Sequence, residues 1–338
     1  MAKSRLTALI ITGIAAIFSL QAQVTVASKN LSATKSDSIK TESIFNRYGI
    51  LNKLEVGMTL GTTGIGFEAA SPLTEWAKVR IGLSFVPQID IPMSFGLTTY
   101  SDNSVVSNNF DKIKDLMYQL SGYEMNNTID INSTPKMVNF KFLVDVYPLK
   151  NKHWHLTLGF YTGPKCVAKA INTMTEMPSL LAVGMYNRLY DYTLNDGFID
   201  NPIYNDIYLD PEQADKLKEK LESYGRLGIH IGDFKDGSPY YMEPGKDGTV
   251  NAKAYVNTFR YYAGFGYGGA LSGDKRWNIS VDAGAMFWGG SPKIITHDGV
   301  DMADELINVR GKVGDYLRMM KSLKVYPVLE MKLSYTFF

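Results

Sequence analysis

Cysteine is nearly absent. Cys166 stands alone among 338 residues, which excludes an intramolecular disulfide framework and a thiolate metal cluster. It reads as a small buried residue. An excess of one charge is lacking too: lysine and arginine total 35 against 34 aspartates and glutamates, a formal charge of +1. Losing Lys3 and Arg5 with the N-terminal segment leaves 33 against 34, a balance that excludes the basic footprint of a nucleic-acid partner. Beyond the N-terminus no apolar run approaches the roughly 20 residues of a spanning helix, so a helical membrane protein is excluded. Recognisable catalytic chemistry is missing as well. No nucleophile elbow or paired-aspartate signature accompanies the four histidines, and no motif calls for a cofactor or metal.

What is present starts with an export signal. Lys3 and Arg5 precede an apolar stretch from Leu6 to Leu20, and Leu20-Gln21-Ala22 supplies the small residue that signal peptidase requires. Residues 1–22 are therefore expected to be a signal peptide, with Ala27 a second cleavage candidate. Residues 23–52, rich in Ser, Thr and Lys, read as a flexible periplasmic leader.

From residue 53 a period of two takes over, the signature of strands whose side chains alternate between faces. It runs through Leu54 to Leu60, Ile65 to Ala69, Val79 to Phe85, Val138 to Val146, Leu156 to Phe160, Phe259 to Tyr267, Ile279 to Phe287 and Leu329 to Phe337. Eight runs are an even number, as closure of an up-and-down barrel requires. Runs two and three, four and five, and six and seven are joined by tight turns that end in Trp76, Trp154 and Trp277. With Trp288 at the other rim, and Tyr335 and Phe337 on the last strand, these residues make an expected interfacial aromatic belt. On the opposite rim the connections are long, about 89–135, 164–256 and 290–324, the asymmetry of extracellular loops over periplasmic turns. Both mature termini are then periplasmic.

The cleavable signal, the eight alternating runs, the asymmetric loops and the terminal strand LEMKLSYTFF together resemble the small outer-membrane barrels of the OmpX, OmpW and OmpA-barrel type. The resemblance covers the strands and leaves the loops aside. It implies an all-β, eight-stranded antiparallel transmembrane barrel in a Gram-negative outer membrane, in contact with lipid and lipopolysaccharide. It also implies recognition of the C-terminal strand by the barrel-assembly machinery, with Phe338 shifted by one residue from the usual parity.

Within the loops, residues 110–124 and 211–225 carry helical spacing, the latter opened by Asp210-Pro211-Glu212; 301–321 is a weaker helical candidate. Residues 240–256 read as a hairpin above the membrane, or alternatively as two further wall strands.

If the apolar face meets lipid, the lumen receives Glu55, Glu68, Asp145, Asp282 and Glu330 against Lys78, Arg80, Lys141, Arg260 and Lys332. An eight-stranded barrel holds only side chains, so a self-neutralising ion network that seals the lumen is expected. Inward glycines such as Gly264 and Gly284 read either as room beside Tyr147, Tyr161 and Tyr262 or as a narrow cavity. The expected role is non-enzymatic: envelope structure, or binding of a protein or glycan through a loop region rich in tyrosine. The alternatives are a narrow OmpW-like conduit for small hydrophobic compounds and a surface lipid-modifying enzyme built on His297 and Asp298.

Overall fold

The computed structural model describes residues 53–337 apart from 102–103, 106–108, 123, 195–210, 272, 310–313, 316 and 319–324. The expected signal peptide and leader lie outside the described residues. Strands in chain order are β1 (Glu55–Gly61), β2 (Gly64–Pro72), β3 (Ala77–Phe85), β4 (Ile91–Ser101), β5 (Ser104–Val105), β6 (Thr128–Pro135), β7 (Val138–Val146), β8 (Trp154–Thr162) and β9 (Cys166–Asn172). They continue as β10 (Arg226–Phe234), β11 (Pro239–Met242), β12 (Asn251–Tyr255), β13 (Phe259–Ala270), β14 (Trp277–Phe287), β15 (Lys293–Thr296), β16 (Leu306–Ile307) and β17 (Val325–Thr336). The α-helices α1 (Phe110–Ser121), α2 (Met177–Leu194) and α3 (Pro211–Tyr224) lie between them.

Eight strands close a barrel in the order β1-β17-β14-β13-β8-β7-β3-β2, every pair antiparallel. They are the eight runs of period two. The alternation decides the facing: Met58, Phe67, Leu83, Leu158, Phe265, Val281 and Leu329 are exposed, whereas Thr59, Glu68, Arg80, Lys141, Thr157, Asp282 and Glu330 are buried. An apolar band exposed all round a closed barrel is the surface of a protein solvated by lipid. This is a transmembrane barrel.

The long connections assemble into a cap. Its sheet runs β11-β10-β4-β6-β9-β12-β15, with β5 paired to β4 and β16 to β10. The last four strands of that order, β6-β9-β12-β15, repeat the wall order β7-β8-β13-β14, because each cap strand is the continuation of its wall strand beyond the barrel. Hydrogen bonds cross the junction: Val86 N donates to Met137 O, Lys136 N to Val167 O, and Val256 N to Lys165 O, at 2.9, 2.7 and 2.9 Å.

Over this sheet pack the helices. Ile113 and Met117 of α1, Leu180, Val183 and Tyr186 of α2, and Leu221 of α3 are buried with Leu227 and Ile229 of β10 in a core of its own. α1 ends on Gly122 in the left-handed region at φ 73°, whose N–H closes on Tyr118 O. α2 is docked by Asn187, whose amide both accepts from Leu227 N at 2.9 Å and donates to Leu227 O at 2.8 Å, standing in for a neighbouring strand.

Two sequence expectations are corrected here. Residues 240–256 form no hairpin: β11 pairs with β10, and β12 lies between β9 and β15. Both belong to the cap sheet, so the wall keeps eight strands. In 301–321, residues up to Val309 make turns and β16 instead of a helix, because Asp301 Oδ1 accepts from Ile294 N and Ala303 N. Further on, Gly314, Asp315, Leu317 and Arg318 are helical, as that reading has it, and the others of the segment lie outside the described residues.

Candidate functional site

The lumen is occupied by a continuous ion network. Arg80 of β3 sits at its centre, 3.0 Å from Asp145 Oδ1, 3.0 Å from Asp282 Oδ2 and 3.5 Å from Glu68 Oε1. Lys141 of β7 bridges Glu330 at 2.9 Å and Glu68 at 3.0 Å. Lys332 reaches Glu68 at 3.3 Å and Glu55 at 3.9 Å, and Lys78 pairs with Glu55 at 2.5 Å near the short-turn mouth. These nine residues come together in the lumen. Period two places them on one face, and each charge taken from water needs a partner there.

The tenth expected member, Arg260, does not join. Its guanidinium sits at the cap end of the lumen, where Nε donates to Asn257 O at 2.8 Å, Nη2 to Pro164 O at 2.8 Å and Nη1 to Asn139 Oδ1 at 2.5 Å. The chain leaves the wall at that point and its carbonyls lose ladder partners, so a buried arginine serves them. His155, nearer the short-turn end, joins the network through Asp282. Its Nε2 lies 2.6 Å from Asp282 Oδ1, and its ring is buried. It shares the inward parity of Thr157 on β8, the local signal that places it there.

Glycines make this packing feasible. A Cβ on Gly266 would lie 2.2 Å from Asp282 Oδ1 and 2.3 Å from His155 Nε2; on Gly264 and Gly284 it would meet the Tyr262 hydroxyl at 2.4 and 2.5 Å. The inward glycines therefore house side chains and open no passage. Towards the cap the lumen is stopped by an apolar cluster of Met137, Leu143, Tyr161, Tyr262, Met286 and Val328.

Trp288 belongs to that stopper. It was expected at the outer rim, but it is 7% exposed and stacks on Tyr326 at 5.6 Å. Phe287 faces lipid, so its neighbour turns inward. Trp76, Trp154 and Trp277 are exposed at the short-turn rim, where Trp277 and Tyr335, and Tyr335 and Phe337, meet edge to face at 5.1 Å.

In the cap, Arg226 grips Glu243 with two hydrogen bonds, Nε to Oε1 at 2.8 Å and Nη2 to Oε2 at 2.7 Å, and also contacts Asp191. The Tyr100 hydroxyl donates to the same Glu243, and its ring stacks on Tyr241 at 3.9 Å. Burial, reinforced by the Glu243 carboxylate, holds the Tyr100 hydroxyl above the ordinary tyrosine range. Of the tyrosines in the long connections, Tyr186, Tyr190, Tyr224, Tyr240 and Tyr241 are buried in packing, and Tyr204 and Tyr208 lie outside the described residues.

The histidine and aspartate considered for surface chemistry are both engaged structurally. His297 Nε2 lies 2.8 Å from Glu243 O, while Asp298 accepts from the Tyr240 hydroxyl at 2.7 and 2.8 Å. No dyad forms between them. His230 stacks on Tyr241 at 4.9 Å. No group of three or more metal-ligating side chains gathers among the described residues.

The cap also holds a half-open apolar cavity of about 220 Å³. One wall is the sheet face of Ala168 and Ala170 on β9 with Ala252 and Ala254 on β12; larger side chains, among them Met242 and Met302, also line the cavity. A smaller recess of about 100 Å³ lies at the short-turn mouth beside Glu55, Lys78 and His153.

No protein-family model and no curated protein matches the chain. Solved structures do. CarO2 of Acinetobacter baumannii is similar with a TM-score of 0.36 and 14% identity, covering 84% of this chain and 98% of its own. CarO of the same organism has a TM-score of 0.34 and 12% identity, covering 84% and 97%. A major outer membrane protein from Thermus thermophilus has a TM-score of 0.31 and 10% identity, covering 84% and 98%.

Proposed function

We propose that this chain is a non-conducting, non-enzymatic outer-membrane protein that displays a folded binding module outside the cell. The observation that carries the reading is the contrast between a lumen filled by ion pairs and an apolar stopper, and long connections folded into a sheet and helices with their own core. A diffusion pore needs a wet lumen, and a narrow conduit would need both filled layers to open. Catalysis finds no support in His297 and Asp298, which are spent on hydrogen bonds that hold the cap together.

In this reading the tryptophan-bearing rim and both termini face the periplasm, lipid and lipopolysaccharide surround the wall, and the C-terminal strand with Tyr335 and Phe337 is read by the assembly machinery. The cap is the part free to meet a ligand. Orientation is tested with single cysteines in a Cys166→Ser background, Lys246→Cys on an exposed cap turn and Lys150→Cys on an exposed short turn. A membrane-impermeant maleimide added to intact cells is expected to label the first and to reach the second only after the outer membrane is opened. The reverse pattern would overturn the orientation.

A further inference from the structure

The cap cavity has the form of a built site. Ser133, Ala168, Ala170, Ala252 and Ala254 come from three adjacent strands, and the ladder sets them side by side: Ala170 pairs with both Ser133 and Ala252, and Ala168 pairs with Ala254. Five small side chains in register leave a hollow that longer neighbours on the same sheet would close. Met242 and Met302 also line it, and their unbranched thioether chains adapt to whatever fills the space.

Chemistry limits the occupant. Among the described residues no charged side chain lines the cavity, and its polar side chains are Ser133 and Asn251; the Asn251 amide donates to Thr249 at 3.5 Å. A charged ligand would lose its hydration there without compensation. The volume of about 220 Å³ is half again that of a cavity of about 150 Å³ able to hold one benzene. Val167 and Ala254 belong both to this cavity and to the cluster that stops the lumen, so the occupant would rest on the stopper and not pass it.

We propose that this cavity binds a small uncharged apolar molecule about the size of a fused pair of aromatic rings. The proposal deepens the reading of the cap as a binding module by naming the ligand class. It does not depend on which side of the membrane the cap faces.

Naphthalene is the probe. Full-length protein held in amphipol, without detergent tails to compete, is titrated with naphthalene and the bound fraction is read by headspace partition. Saturable uptake near one molecule per chain is expected above the linear background of the amphipol. Ala170→Met with Ala252→Met should weaken it at least tenfold, with the heat-dependent gel shift of the barrel and the protease resistance of the cap unchanged. Should that double variant lose the cap, Ser133→Leu alone makes the same test.

Absence of saturable uptake by the folded wild type would overturn the proposal, as would equal uptake by a filled variant. A lipid acyl chain retained by the wild type and excluding naphthalene would overturn it in favour of a lipid tail. Failure of the cysteine labelling would remove the outward placement and leave the naphthalene result standing.

Discussion

Barrel and cap obey the same alternation and use it with opposite sign. In the wall, Leu158 is 62% exposed and Lys141 is fully buried; in the cap, Ile131 is 3% exposed and Lys253 faces out. Lipid is the solvent that makes the difference. It takes apolar side chains at no cost and forces charges to neutralise one another inside, whereas water drives the cap to bury Leu180, Val183 and Ile113. A residue's exposure therefore has no meaning until its solvent is known.

Four tests would break or sharpen that contrast. The largest effect is expected from Arg80→Leu, which leaves Glu68, Asp145 and Asp282 without their shared cation: about 3–5 kcal/mol of barrel stability should be lost, read by urea unfolding in lipid vesicles. Unchanged stability would mean that the network is slack. Next comes Leu180→Ala in the cap core, worth about 2–5 kcal/mol. The loss should show as protease sensitivity of the cap while the heat-dependent gel shift of the barrel persists; loss of both together would show that the two regions do not unfold separately.

Leu158→Arg and Leu120→Arg then compare the solvents directly, since the two leucines are 62% and 61% exposed. The wall substitution should cost about 2–4 kcal/mol near mid-bilayer. The cap substitution, on the outer face of α1, should stay within about 0.5 kcal/mol. Equal costs would sink the assignment of lipid to one surface and water to the other. The smallest expected change is in conductance: planar bilayers with wild type should show no discrete steps, and Gly284→Leu, which crowds the Tyr262 hydroxyl, should show none either.

The wall was legible because period two recurs in eight strands, each long enough to display its facing, and its parity also assigned nine members of the ion network. Arg260 carries the same parity, but it stands one residue from the strand's start, where the departing backbone claims its guanidinium. Trp288 shows the converse. Its neighbour Phe287 already pointed outward, so parity placed it inside, and the preference of tryptophan for rims suggested otherwise.

The cap hid for different reasons. Ile91, Met93, Phe95 and Leu97 alternate as clearly as any wall strand, yet a segment read as loop was not read for strands. α2 is apolar on most sides, so its helical face was masked; Leu180, Val183, Tyr186 and Tyr190, all buried, trace it together with Asn187. The cavity depends on Ala170 meeting Ala252 across a ladder between residues far apart in sequence, and no local pattern announces such a pairing.

The junction between wall and cap has a mechanical consequence. Only residues 136–137 separate β6 from β7, 163–165 separate β8 from β9, and 256–258 separate β12 from β13, with hydrogen bonds continuing across the gaps. A cap joined this way has no swivel. Tension applied at its tip would run down the ladders into the membrane wall and load the barrel itself, in shear along its strands.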